Sequence, residues 1–342
     1  MLNRWKYQFG GFESQMGIRL LDEKRNAGQL MQNDITNPFG IDINTRQYEG
    51  FAKAGYIFDR PNTSLGLIAS VNQHEQQSAF GPTMYNGMQQ SLYSNLVFIT
   101  YLGRTNHTVK TGFSFAYDYY NESLNDISLN RTETIPGAYL EYTYKWLDAL
   151  TLMAGARVDN HNLHGNLSTP RLHVRYQPFE QLNIRASAGK GYRTANIIAE
   201  NMYLLASSRN MVFVEEIGIE EAWNYGINIT QRYELMGREL VVNTDFYRTQ
   251  FNNQLVVDMD QDPNNVYFYN LDGDSYSNSL QVEASYKPVD RLDVTIAYRW
   301  NDVRSTINSE LIEKPLVSRY KGFISTSYET LNREWQFDYT LH

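Results

Sequence analysis

The chain has 342 residues, no cysteine and a formal net charge of -8, with 26 Tyr, 16 Phe and 5 Trp. No run of eighteen apolar residues occurs and the mean hydropathy is -0.51, which excludes a transmembrane helix. Membrane-crossing strands stay open, because only every second residue of such a strand must be apolar. The missing cysteine removes disulfides and thiolate metal sites, and the acidic balance without a basic stripe argues against nucleic acid as a partner.

Met1–Trp5 is followed by no apolar h-region and is not read as a secretory signal. Residues 1–8 form part of a strand, Phe9-Gly10-Gly11 a turn, and Gln15 to Lys24 a second strand. A polar connection with Gly, Asn and Pro is expected at about residues 25–45. Strands follow at 48–58 and 65–73, joined by Asp59-Arg60-Pro61-Asn62. A long loop is then expected at 75–90, on its Gly81-Pro82 and Asn86-Gly87 pairs. Strands 91–102 and 107–120 flank the compact Gly103–Asn106, and a polar loop is expected at 121–134.

From here the alternation is regular. Ala138, Leu140, Tyr142 and Tyr144 alternate with Tyr139, Glu141, Thr143 and Lys145. Leu150 to Val158 repeats the pattern after a turn at 147–149, and a loop at 160–168 leads to Leu172, Val174 and Tyr176. Leu182, Ile184, Ala186 and Ala188 alternate with Asn183, Arg185, Ser187 and Gly189, a period of two with one apolar face. Trp223 to Thr230 does the same. Between these two strands lies a long excursion, Thr194 to Glu221, with an apolar run of its own. Later strands are read to Asp258, at 280–287, 292–300 and 319–330, and from Trp335, with a loop at 304–317.

Two regularities result. Strands are about ten residues or longer and number about sixteen, and short turns alternate with long polar loops, as an up-and-down membrane barrel requires. Arg157, Asp159, Arg171, Arg175, Arg185, Glu283, Arg291 and Asp293 lie on the polar face, where a dry core would reject them and a wet lumen accepts them. The fold class is therefore all-β, an antiparallel up-and-down transmembrane β-barrel, with Leu140, Val282 and Ile296 facing lipid. Trp146, Tyr298 and Trp335 near strand ends fit an interfacial girdle.

Little catalytic chemistry is legible. Gly189-Lys190-Gly191 lacks the third glycine and the helix of a dinucleotide site. His161 and His164, with Asp159 nearby, read as solvated loop residues rather than a metal site. Asp258, Asp260 and Asp262 resemble the start of a calcium loop, but Pro263 replaces the required glycine and Tyr269 the closing Glu. A looser structural calcium site, with Asp272 and Asp274, is the remaining metal expectation. No nucleophile and base share a productive spacing, so the chain is not read as an enzyme.

The segment Gly189-Lys190-Gly191-Tyr192-Arg193-Thr194-Ala195-Asn196-Ile197-Ile198-Ala199-Glu200-Asn201, with Leu204-Leu205-Ala206-Ser207-Ser208-Arg209, resembles the barrel of TonB-dependent outer-membrane receptors. Within them it is most similar to cobalamin and iron-chelate receptors. Tyr276–Glu283 and Phe246–Phe251 resemble further strands of the same barrel. Many relatives carry proline where Asn196 stands.

The resemblance implies a barrel of about twenty-two strands around an N-terminal plug, within the known range, of which this chain supplies about sixteen. Residues 1–342 are thus expected to be a partial barrel domain lacking the plug, the first strands and the closing strands, and not functional alone, since two open edges in hydrocarbon are forbidden. It further implies residence in outer-membrane lipid of a Gram-negative bacterium and partnership with the TonB complex through the plug. The ligand implied is a siderophore-iron, cobalamin, haem or similar molecule, with Tyr192, Arg193, Tyr203 and Phe213 as contacts; the alternative for each is packing of the loop on the rim. Two other readings compete. A complete sixteen-stranded porin would need a constricting loop and a closing aromatic strand, neither of which is read here. A soluble or surface β protein of adhesion would pack its apolar parity on another sheet.

Overall fold

The alternation of residues becomes ladders of antiparallel strands in the computed structural model, which describes residues 2–30 and 38–342. The wall begins with β1 (Leu2–Phe9), β2 (Phe12–Gly28), β3 (Gly40–Ile57), β4 (Ser64–Phe80), β5 (Thr83–Tyr101) and β6 (His107–Leu124). After the two-residue β7 (Ile127–Ser128) come β8 (Arg131–Trp146), β9 (Leu150–His161), β10 (Gly165–Phe179) and β11 (Leu182–Arg193). An excursion then carries helix α1 (Ile197–Glu200), a 3-10 turn (Met202–Ala206) and β12 (Asn210–Phe213). Next are β13 (Glu220–Leu235), β14 (Arg238–Asn253), the short β15 (Leu255–Asp258) and β16 (Asn265–Asn270), β17 (Ser275–Val289) and β18 (Leu292–Ile307). The short β19 (Glu310–Glu313), β20 (Tyr320–Glu329) and β21 (Gln336–Leu341) complete the order.

Each wall strand pairs antiparallel with the next in one 18-stranded sheet. Two members, β7 and β19, only extend the ends of β6 and β18, so the wall has about the sixteen strands that the sequence pattern suggested. Among the described residues no pairing joins β1 to β21.

The sheet is a single curved layer. Its accessible surface is 21668 Å², where a compact monomer of 39.7 kDa exposes about 14,000 Å². Leu140, Val282 and Ile296 are 56%, 38% and 50% exposed and do not meet in a dry interior. The soluble-sandwich reading fails on this point. At the short-turn end Phe9, Phe58, Trp146, Phe179, Tyr233 and Trp335 are all exposed, in the place of an interfacial aromatic belt.

The outer end differs from the expectation. The loop expected at 75–90 is a continuation of β4 and β5, which pair without a break to Phe80–Thr83 around a tight turn at Gly81, whose φ of 58° suits glycine. The loops expected at 121–134, 160–168 and 304–317 likewise shrink, because β6, β8, β9, β10 and β18 extend into them. Outside hydrocarbon a strand needs no apolar parity, so period two vanishes while the backbone ladder persists. Of the connection expected at 25–45, β2 and β3 occupy both ends, and 31–37 lie outside the described residues.

Candidate functional site: a cap over the outer mouth

The organising feature of the outer end is where β11 leaves its neighbour. The β10–β11 ladder stops at Arg171–Gly189, next to Pro170, which has no N–H to continue it. Beyond that point Tyr192, Thr194 and Asn196 are carried away from β10 and reach β8 and β9 instead.

A buried polar network receives them. Tyr192 Oη donates to Asp159 Oδ2 at 2.6 Å, and Arg157 donates from Nε to Oδ2 at 2.7 Å and from Nη2 to Oδ1 at 2.6 Å. Arg157 Nη2 also donates to Ser114 Oγ on β6 at 2.6 Å. Asp159 is 1% exposed. It fits because its cross-strand partner is Gly137, where any Cβ would overlap Asp159 Oδ1.

A second group lies beside it. Glu133 accepts from Arg131 Nε at 2.5 Å and from Thr194 Oγ1 at 3.2 Å, and its Oε2 is 3.4 Å from His161 Nε2. His161 Nδ1 accepts the Leu163 N–H at 3.2 Å, so the ring proton belongs on Nε2, facing Glu133. Arg131 also donates to Ala195 O and to the Asn196 side chain, and its guanidinium stacks 4.0 Å over the Tyr120 ring. The reading of His161 as a solvated loop residue is corrected: it is 1% exposed. The His164 ring lies against it, tilted by 60° with the ring centroids 4.7 Å apart. Burial first, and then the neighbouring His161, hold the His164 imidazole below its ordinary pKa.

Held at its root, the excursion folds inward across the mouth. Ile198 and Leu205 pack on Phe80, Tyr85 and Leu124, at the outer ends of β4, β5 and β6. The face opposite joins the loop between β14 and β17. There β12 pairs parallel with β16, and β15 antiparallel with it, around Leu204, Val266 and Phe268. Arg209 Nη1 ties the two loops by donating to Met259 O at 2.7 Å. Together they make a small cap with its own apolar core.

The four residues expected to touch ligand are dispersed over this cap. Tyr192 is in the root network. Arg193 pairs with Glu220 at 2.5 Å and Glu200 at 2.9 Å while keeping half of its side chain in solvent. Tyr203 is 61% exposed. Phe213 stacks on Phe268 at 5.2 Å and bridges both apolar clusters. A groove of about 740 Å³ runs between the tips at Pro82 and Asn125–Ile127 and the cap residues Leu204–Met211, with Arg209 and Asp126 among its lining.

The calcium expectation is not met by the geometry. Asp258 Oδ1 accepts the N–H of Asp260 at 2.9 Å and of Gln261 at 3.3 Å, and Asp262 Oδ1 accepts that of Asn264 at 2.7 Å. The carboxylates close their own turns. The Asn264 N–H is also the first reason that the Asp262 carboxyl is held below its ordinary range. Among the described residues no three acidic or imidazole groups are placed to share a metal.

Residues 4–341 match the family model described as TonB dependent receptor-like, beta-barrel. The chain belongs to that family. It is one of transport receptors rather than catalysts, and it places the chain in the outer membrane of a Gram-negative bacterium. No curated protein matches the chain by sequence. Among solved structures, the ferric citrate transporter FecA is similar with a TM-score of 0.69 at 14% identity, covering 99% of this chain and 56% of that one. The alcaligin outer-membrane receptor FauA of Bordetella pertussis gives 0.63 at 13%, with coverage of 96% and 56%. The haemophore receptor HasR of Serratia marcescens, solved with its haemophore and haem, gives 0.63 at 11%, with coverage of 96% and 63%. These likenesses concern the fold, and the chain spans less than two thirds of each of these proteins. The inward-folded cap also removes one ground for setting the porin alternative aside, the lack of a loop over the lumen; family membership decides the point.

Proposed function

We propose that this chain supplies barrel wall and outer cap to a receptor that imports a scarce small ligand of the siderophore-iron, haem or cobalamin type. The energy would come from the inner-membrane TonB complex acting through a plug. One observation carries the reading: an ordered cap, rooted in buried charge, lies over a polar lumen. A receptor needs a preorganised outer surface to capture a dilute ligand, and membership of the receptor family favours that use of the cap over a porin's constriction.

The groove beside the cap is the proposed capture site. Its volume of about 740 Å³ suits a small-molecule pocket, typically about 300–1,000 Å³, and it combines apolar walls with a few polar groups. Tyr203 and Arg193 lie outside the groove lining. Tyr203, exposed beside the groove residue Leu204, and Arg193, half in solvent despite its ion pairs, are proposed to meet ligand on the cap's outer surface as it enters. Tyr192 and Phe213 are proposed to act on ligand by fixing the cap, because their side chains already have protein partners.

The test is growth of a strain lacking the gene on single iron or corrinoid sources, complemented by the wild type or by Tyr203→Ala. The wild type should restore growth on one source, and Tyr203→Ala should require several-fold more ligand at an unchanged amount of protein in the outer membrane. Equal growth of the deletion strain on every such source would overturn the proposal.

A further inference from the structure

We propose that the lumen wall carries an anion site between Arg175 and Arg185, for a group presenting two or more carboxylate or phosphate oxygens. The two arginines stand directly opposite one another on β10 and β11. Both lie on the polar parity, since Leu172, Val174, Tyr176 and Ile184 take the other face. Like charges directly opposite in a ladder destabilise it, so the arrangement calls for a counter-charge.

Other basic residues on this part of the wall have one. Arg157 holds Asp159, Arg171 holds Glu141 at 2.5 Å, and Lys190 holds Glu221 at 2.7 Å. Among the described residues neither Arg175 nor Arg185 has a carboxylate within ion-pair distance. Arg175 Nη2 donates to the Gln177 amide oxygen, which steadies the guanidinium without neutralising it. Arg185 has no polar partner among the described residues.

The pair opens on a cavity of about 660 Å³, lined also by Thr151, His173 and Ser187. Of its two carboxylates, Glu141 is paired with Arg171. Asp245 accepts from the Asn228 amide at 2.8 Å and keeps its charge, but it is not within ion-pair distance of either arginine. Two planar guanidinium forks side by side match an oxyanion better than point charges do. A walled aqueous space also concentrates an anion near them. Both residues are close to the turn at Glu180–Gln181, at the short-turn end of the lumen. The site is therefore at the opposite end from the cap and independent of the capture groove.

The oxyanion could belong to a solute crossing the lumen or to an acidic side chain of a polypeptide lying in it, and the experiment separates these. The purified protein in detergent micelles is titrated calorimetrically with citrate, with inorganic phosphate and with an Asp/Glu-rich decapeptide. Arg175→Gln/Arg185→Gln should weaken binding by about tenfold or more, the loss of charge-assisted hydrogen bonds. Arg175→Lys/Arg185→Lys should fall between, because charge remains and the fork is lost. Citrate or phosphate tighter than the peptide assigns the site to a solute, and the reverse assigns it to a polypeptide. The Gln variant relieves the like-charge contact, so it should unfold at no lower a temperature than the wild type without anion. Equal binding by wild type and the Gln variant, or no binding by the wild type, overturns the proposal.

Discussion

Gly137→Ala tests the root of the cap with a single methyl group. The added Cβ would occupy the position of Asp159 Oδ1, and the backbone at Gly137 is fixed by its ladder with β9, so the carboxylate must move. Asp159 then loses alignment with Arg157 and Tyr192, which together supply three hydrogen bonds of 2.6–2.7 Å. Separating a buried ion pair costs about 3–5 kcal/mol. The Arg157 side chain is 33% exposed and recovers part of this from water, leaving about 2–3 kcal/mol. Replacing a strand glycine with alanine returns about 0.5–1 kcal/mol, so the net destabilisation should be about 1–2.5 kcal/mol. Urea unfolding of the protein in liposomes, followed by tryptophan fluorescence, measures it. In an Asp159→Gly background the same alanine meets only the end of the Arg157 side chain, 2.9 Å away and free to swing aside once its carboxylate is gone. It should then be neutral or stabilising, giving a coupling of about 1–3 kcal/mol in the double-mutant cycle. Gly137→Ala at or above wild-type stability, with additive effects in the cycle, would refute the steric argument.

Three other outcomes follow from the same geometry. Phe268→Ala empties the centre of the cap core, where Phe268 is 0% exposed; it should cost the cap about 3–5 kcal/mol. Limited proteolysis should then cut within 194–219 and 254–274 while the wall strands stay intact. His164 has a lowered pKa in the folded state, so protonation favours the open state: the contribution to cap closure is complete above about pH 6.5 and is lost as pH falls below that value. The protection of amides 192–213, measured relative to their intrinsic exchange rates at each pH, should therefore fall in mild acid, and His164→Gln should flatten that dependence. Removal of calcium should leave proteolysis of 255–270 unchanged, because Asp258 and Asp262 already bind the N–H groups of their own turns.

Much of the wall was legible because lipid imposes a strict rule on it. Wherever a strand crosses hydrocarbon, as in Leu182–Gly189 or Leu150–Val158, one parity must be apolar, and those strands were found with their turns. Above the membrane the rule lapses. His74-Glu75-Gln76-Gln77 is polar on both parities, yet it sits in an unbroken ladder with β3 and β5, and only pairing across the sheet reveals it. The cap left a partial trace in the apolar run of the excursion: Ile198, Leu204 and Leu205 need cover that a solvated loop cannot give. Its partners Phe80, Tyr85, Leu124 and Phe268 are remote in sequence, so the direction in which it folds was not legible. The root network was hidden for the same reason. Asp159 meets Tyr192 thirty-three residues later in the chain, and nothing local marks Gly137 as the gap that admits it.

The account depends on which face of the wall meets lipid, and the chain is well suited to ask, since it contains no cysteine and each introduced thiol is unique. Leu140→Cys, Val282→Cys and Ile296→Cys, with the adjacent Glu141→Cys, Gln281→Cys and Thr295→Cys, are placed one at a time in protein reconstituted in liposomes. The first three, carrying a fluorophore, should be quenched by nitroxide on lipid chains and be slow to react with a charged maleimide; the second three should show the opposite behaviour. Reversed alternation, or no alternation at all, would contradict a lipid-facing apolar parity and a water-lined interior.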